Sequence, residues 1–201
     1  MKLSIVHITV ITVLVLLVLA VLSYKPMFDN PKTVFIEEPI QKNKEIQLLP
    51  GQQYIYSYML NDSQINMTYN VLYDPTCVRI RLLESKDISE SCLDRWGMDS
   101  QGYNSTLEND KMILFKPWML ALEEGWRWKV AMYLDYNGVL HHISESNYRV
   151  IRTDEYMNRT VFIVEITSQG GVKEYQWIDT EKRIALKIAG TGYEVILIEQ
   201  S

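Results

Sequence analysis

Twenty consecutive residues, Leu3 to Leu22, carry no charged side chain and consist mainly of Leu, Val and Ile. At about 1.5 Å per residue, a helix of that length spans about 30 Å, the hydrocarbon thickness of a bilayer. The run predicts a transmembrane anchor over residues 1–23, with the rest of the chain tethered to it. A cleaved signal peptide is the competing reading. Its apolar core normally runs only about 7–15 residues and ends in a small-x-small site, a pattern that Ala20-Val21-Leu22-Ser23-Tyr24 lacks.

Lys2 faces Lys25 and Lys32 across the span, so the positive-inside count barely orients it. The remainder of the chain is more informative. Asn-x-Ser/Thr acceptors occur at Asn61, Asn66, Asn104 and Asn158, and such acceptors function only outside the cytoplasm. Cys77 and Cys92 are the only cysteines; in an oxidising compartment they would pair and close a loop of about 15 residues. Both features predict a cytoplasmic N-terminus and an extracytoplasmic domain at the cell membrane, held there through residues 3–22.

Pro26, Pro31 and Pro39 stand among charges in residues 24–50, which read as a stalk or extended lead-in. Residues 51–201 then carry the signals of one β domain. Gln53 to Leu60 is aromatic and β-branched, Ile65 to Tyr73 is its hairpin partner, and Val78 to Leu82 alternates apolar residues with Arg79 and Arg81. Glu84 to Asp110 breaks the pattern and reads as a long loop pinned by the cysteine pair. Pro117 to Glu124 predicts a two-turn helix that stops at Gly125.

Beyond it lie Arg127 to Leu134, the hairpin turn Asn137-Gly138, Val139 to Ile151, a turn over Asp154 to Asn158, and Thr160 to Thr167. Val172 to Ile178 follows Gly170-Gly171, with Tyr175 and Trp177 on one face. Arg183 to Ile188 places Ile184, Leu186 and Ile188 inward and Arg183 and Lys187 outward. Tyr193 to Glu199 closes the chain after the hairpin turn Gly190-Thr191-Gly192. The expected class is mainly β: an N-terminal transmembrane helix followed by one antiparallel, strongly curved, half-barrel-like sheet with one or two short helices.

The order Gly-Gly hairpin, strand ending Trp177-Ile178-Asp179, turn, strand Ile184 to Ile188, Gly-rich turn, strand Tyr193 to Ile198 resembles the closing hairpins of the lipoprotein-carrier half-barrels (LolA- and LppX-like). The resemblance implies a curved sheet wrapped around an apolar cavity, closed by short helices and carrying a lipid or acyl chain. It covers the C-terminal third, and no individual binding residue transfers with it.

A net charge of −5 leaves no basic stripe for nucleic acid. Trp118, Trp126 and Trp128 cluster at the helix-to-strand junction. With Tyr175 and Trp177 they are the candidate ligand-binding residues, since aromatic side chains suit partly wet cavities. His141-His142 are neighbours on a strand and point to opposite faces, so they do not share a metal. One of them could act as a base in a hydrolase, although no nucleophile motif accompanies it. Glu37-Glu38, Glu123-Glu124 and the pair Asp179 and Glu181 read as solvated acid. No cofactor or metal is called for. The sequence thus predicts a non-enzymatic domain that binds an apolar ligand or an envelope partner in the concavity of its sheet. The alternatives are an accessory subunit of a surface complex without a small ligand and, third, the histidine hydrolase.

Overall fold

Alternation and turn chemistry together lay out the chain in space. The computed structural model describes residues 32–60, 63–85, 87–99 and 112–201. Its strands are β1 (Lys32–Glu37), β2 (Gln53–Leu60), β3 (Ser63–Leu72), β4 (Val78–Glu84), β5 (Asp87–Leu93), β6 (Arg127–Tyr136), β7 (Val139–Tyr156), β8 (Arg159–Ser168), β9 (Lys173–Asp179), β10 (Ala185–Gly190) and β11 (Tyr193–Gln200). They form one antiparallel sheet of eleven strands in the order β1-β6-β7-β8-β9-β10-β11-β2-β3-β4-β5. Two meanders, β2 to β5 and β6 to β11, meet where β11 pairs with β2.

The Cα trace divides into two units. The smaller comprises 1–34 and 133–142, of which 32–34 and the tip of the β6–β7 hairpin are described. Asn137 and Gly138 turn that tip with φ of 54° and 86°, the conformation a two-residue hairpin loop demands, and the Gly138 N–H donates to Asp135 Oδ1 at 2.6 Å. His141 and His142 sit there in the open, edge-on to Tyr136 and Tyr133 respectively.

The larger unit, 35–132 and 143–201, holds the core. Alternation along β2 and β3 buries Tyr54, Tyr56, Tyr69 and Val71, and each of the three phenols has a polar partner. Tyr56 donates to the Ala185 carbonyl at 2.5 Å, Tyr54 donates to Gln52, and Tyr69 accepts the Ile113 N–H at 3.1 Å. β8 is buried on both faces from Val161 to Ile166, as its nearly continuous β-branched run allows. The Cys77–Cys92 disulfide is formed, with a Cα separation of 5.6 Å, and ties the start of β4 to the edge strand β5.

Several expectations need correction. Mainly β and antiparallel hold, but the combination with a transmembrane helix does not: among the described residues no helix is long and apolar enough to cross a membrane. The expected span 3–22 itself lies outside the described residues. The two-turn helix at 117–124 is instead a five-residue 3-10 turn, Pro117–Ala121. Trp118, Met119, Leu120 and Ala121 are all buried, and a segment without a polar side has no solvent face to support further amphipathic turns.

The described part of the 24–50 lead-in is laid onto the domain. β1 pairs beside β6, the Asn43 and Lys44 N–H groups both donate to the Leu120 carbonyl, the Ile46 N–H donates to Arg95 O, and Leu48 enters the core. The 84–110 loop contains β5, a polar edge strand. The reversal expected at 154–158 narrows to Met157-Asn158, so β7 runs for 18 residues. Arg183, expected outward, is 3% exposed.

Candidate functional site

Register places one row of side chains across six strands of the larger unit. Tyr58 on β2 lies opposite Val195, Val195 opposite Ile188, Ile188 opposite Gln176, Gln176 opposite Val164, and Val164 opposite Val150. Directly paired residues share a face, so this row and its neighbours build one continuous wall. The next row brings Glu174, Ile166 and Tyr148 together, and the one after it Ser168 and Ser146. Across from the wall stands the segment ahead of and within the 3-10 turn, which contributes Ile113, Lys116, Trp118 and Met119. Between them is a cleft of about 430 Å³.

The lining is divided. Tyr58, Ile166, Ile188, Val195, Trp118 and Met119 supply apolar surface, whereas Glu174, Gln176, Ser146 and Ser168 form a polar strip along β7 to β9. The Ser146 and Ser168 hydroxyls are 3.5 Å apart. Glu174 is fixed by two neutral donors, the Gln176 amide at 2.5 Å and the Tyr193 hydroxyl. Its carboxylate has no ion pair among the described residues, while Lys116 is the one cation of the lining. Burial first, and then the hydrogen bond to Glu174, pushes the Tyr193 phenol well above its ordinary range. Gln176 is 8% exposed, and its Oε1 has no hydrogen-bond partner among the described residues. A buried acceptor left in that condition costs about 1–3 kcal/mol.

Gly190 makes this arrangement possible. A Cβ there would lie 2.4 Å from Tyr193 Cε1 and 2.6 Å from Cζ, so only glycine lets the ring cross β10 and reach Glu174 on β9.

The opposite face of the same strands is ionic. Glu165, 5% exposed, accepts from Arg149 Nε at 2.8 Å, Lys173 Nζ at 2.9 Å and Tyr175 at 3.0 Å. The Lys173 hydrogen bond, with those of Tyr175 and Arg149, outweighs desolvation and holds its carboxyl below the usual range. A second, charged groove of about 520 Å³ runs here past Arg127, Lys129, Arg149 and Lys173.

The predicted ligand residues separate between these surroundings. Trp118, 1% exposed, lines the cleft and stacks on Trp126 at 5.9 Å. Trp128 follows at 6.2 Å from Trp126, and Tyr148 closes the group at 5.4 Å from Trp118 and 5.0 Å from Trp128. The Trp128 indole donates to the Glu38 carbonyl and borders the charged groove. Tyr175 and Trp177 lie on the ionic face, where Trp177 carries Lys187 over its ring and packs against Tyr156.

Sequence reasoning missed Tyr58, Tyr148, Glu174, Gln176 and Tyr193. A glycine inside a strand three residues before a tyrosine was the available signal. Asn66 and Asn158 are exposed, whereas Asn61 and Asn104 lie outside the described residues. Among the described residues no three His, Cys, Asp or Glu side chains converge as metal ligands.

No protein-family model matches the chain, and no curated protein is similar to it in sequence. Among solved structures it is similar to a protein of Bacteroides fragilis NCTC 9343, inferred to be exported and of YmcC-like fold. That match has 11% identity and a TM-score of 0.41 and covers 79% of this chain and 99% of that one. A likeness so slight carries no argument about this chain. Nothing specific to the lipoprotein carriers emerges either; the common ground is a β-rich fold.

Proposed function

We propose that this is a non-enzymatic, extracytoplasmic β domain that holds a small, largely apolar ligand in the cleft over β7 to β11 and β2. The cleft itself carries the reading: aromatic and aliphatic side chains from five strands and the 3-10 segment converge on a space of about 430 Å³, inside the ~300–1,000 Å³ range of ligand sites, with a few fixed polar groups. The Cys77–Cys92 disulfide supports the compartment, since such bonds persist where the environment is oxidising.

Denaturing extraction of the purified domain followed by mass spectrometry is the test. A co-purifying apolar molecule at about one per chain, lost on Ile188→Arg substitution, is expected. A ligand retained equally by the Ile188→Arg protein, or an empty protein that takes up no alkyl-chain probe, overturns the reading. An accessory role without a small ligand would then be the better account.

A further inference from the structure

We infer that the occupant of the cleft is an amphipathic amine, whose apolar body rests on the aliphatic wall and whose N–H groups face the Glu174 carboxylate and the Gln176 amide oxygen. This rests on the ligand reading above and adds the chemistry of the polar end.

The argument is one of donor and acceptor balance. The strand side of the cleft is rich in acceptors: among the described residues the Glu174 carboxylate has no ion pair and the buried Gln176 Oε1 has no partner. The Tyr193 hydroxyl and one N–H of the Gln176 amide are already directed at Glu174. A ligand with N–H groups satisfies the open positions, whereas a carboxylate or phosphate would set like charge against Glu174.

The site is also built for this orientation. Glu174 and Gln176 are alternate residues of one strand, so the register that seats Gln176 opposite Ile188 also fixes the carboxylate one step further along the same face. The missing Cβ at Gly190 admits the tyrosine that holds that carboxylate in place. Lys116, the lining's one cation, stands on the facing segment just ahead of Pro117. It is the group a carboxylate-headed ligand would need, and that alternative is an arm of the test.

Four probes sharing a dodecyl chain discriminate the possibilities in titrations followed by tryptophan fluorescence and native mass spectrometry: dodecylammonium, dodecyltrimethylammonium, dodecanol and dodecanoate, all below micelle formation. Dodecylammonium is expected to bind roughly ten- to a hundredfold tighter than the other three, the size of a charge-assisted hydrogen bond. In Glu174→Gln, with folding checked by circular dichroism, the ratio of dodecylammonium to dodecanol affinity should fall to near unity.

Equal binding of dodecanol, tighter binding of dodecanoate, or an unchanged preference in Glu174→Gln overturns the inference and leaves the apolar cleft standing. Equal binding by the quaternary ammonium also overturns it, because charge without N–H would then suffice. Failure of all four probes sinks the ligand reading itself.

Discussion

Replacing Gly190 with alanine tests the construction of the cleft at one atom. The backbone there is not in the positive-φ region, so alanine suits it and strain would come only from contact. The new Cβ would sit 2.4, 2.6 and 2.9 Å from Tyr193 Cε1, Cζ and Oη, against the ~3.5–4.0 Å at which carbon atoms rest. The ring must yield, and its hydrogen bond to Glu174 goes with it. That bond to a charged group is worth about 1.5–3 kcal/mol, partly offset by the ~0.5–1 kcal/mol that alanine gains over glycine through a less disordered unfolded chain. Lost packing of the ring adds to the deficit.

Gly190→Ala should therefore destabilise by about 1–3 kcal/mol in urea unfolding followed by circular dichroism, with an unchanged m-value. In a Tyr193→Ala background nothing occupies the space. The same substitution should there be neutral or stabilising by up to about 1 kcal/mol. The reversal of sign is the decisive readout. Equal effects in both backgrounds would refute the steric argument and the role given to Tyr193.

Three further outcomes are expected. Replacing Cys77 and Cys92 with serine removes a crosslink spanning 15 residues and should cost about 3 kcal/mol of unfolding free energy, with β5 amides exchanging hydrogen before the rest of the sheet; identical stability and exchange would contradict this. Glu165 is held below its usual 4.5, so its interactions are fully present above that pH and are lost as pH falls through the lowered value. Glu165→Gln should accordingly destabilise by about 1.5–3 kcal/mol at neutral pH and by progressively less in acid, and a pH-independent penalty would refute the assignment.

The buried phenols define the alkaline limit. Burial pushes Tyr54 up to about 12 and Tyr56 and Tyr69 higher, so stability is complete below the ordinary value of 10.0 and declines as pH rises through the raised ones. Near-ultraviolet titration should show these tyrosines ionising together with loss of the fold; ionisation near 10 in the folded state would refute the burial argument.

How much of this was legible depended on whether the signal was local. Asn137-Gly138 and Gly170-Gly171 marked their hairpins because positive φ singles out those residues. β5 was illegible because an edge strand needs little apolar content: Asp87, Ser89 and Ser91 leave no buried stripe to detect. The lead-in was illegible because its attachment runs through backbone groups, such as the Asn43 and Lys44 N–H bonds to Leu120, which leave no periodicity in side chains.

Arg183 failed by tertiary override: alternation put it outside, but the chain turns through a φ of 58° there, and its guanidinium settles over the Phe162 ring 5.0 Å away, with burial lowering its pKa. For the cleft, alternation separated Tyr175 and Trp177 from Glu174 and Gln176 correctly. Tyr175 and Trp177, expected to face a ligand, lie on the side of β9 away from the cleft, because only the strands on either flank decide which face is walled in.

The position of β11 between β10 and β2 also sets a timetable for synthesis. It is the latest of the eleven strands to leave the ribosome, and until it emerges the β2–β5 and β6–β10 meanders have no shared hydrogen-bond ladder in the larger unit. Tyr193 and Val195, which complete the cleft wall, arrive with it. At about 5–20 residues per second, the nascent chain exposes two unjoined strand edges for seconds before the sheet can close, and the cleft exists only afterwards. A nascent chain stalled short of Tyr193 should therefore be prone to aggregation and blind to any ligand, whatever its first meander has already folded.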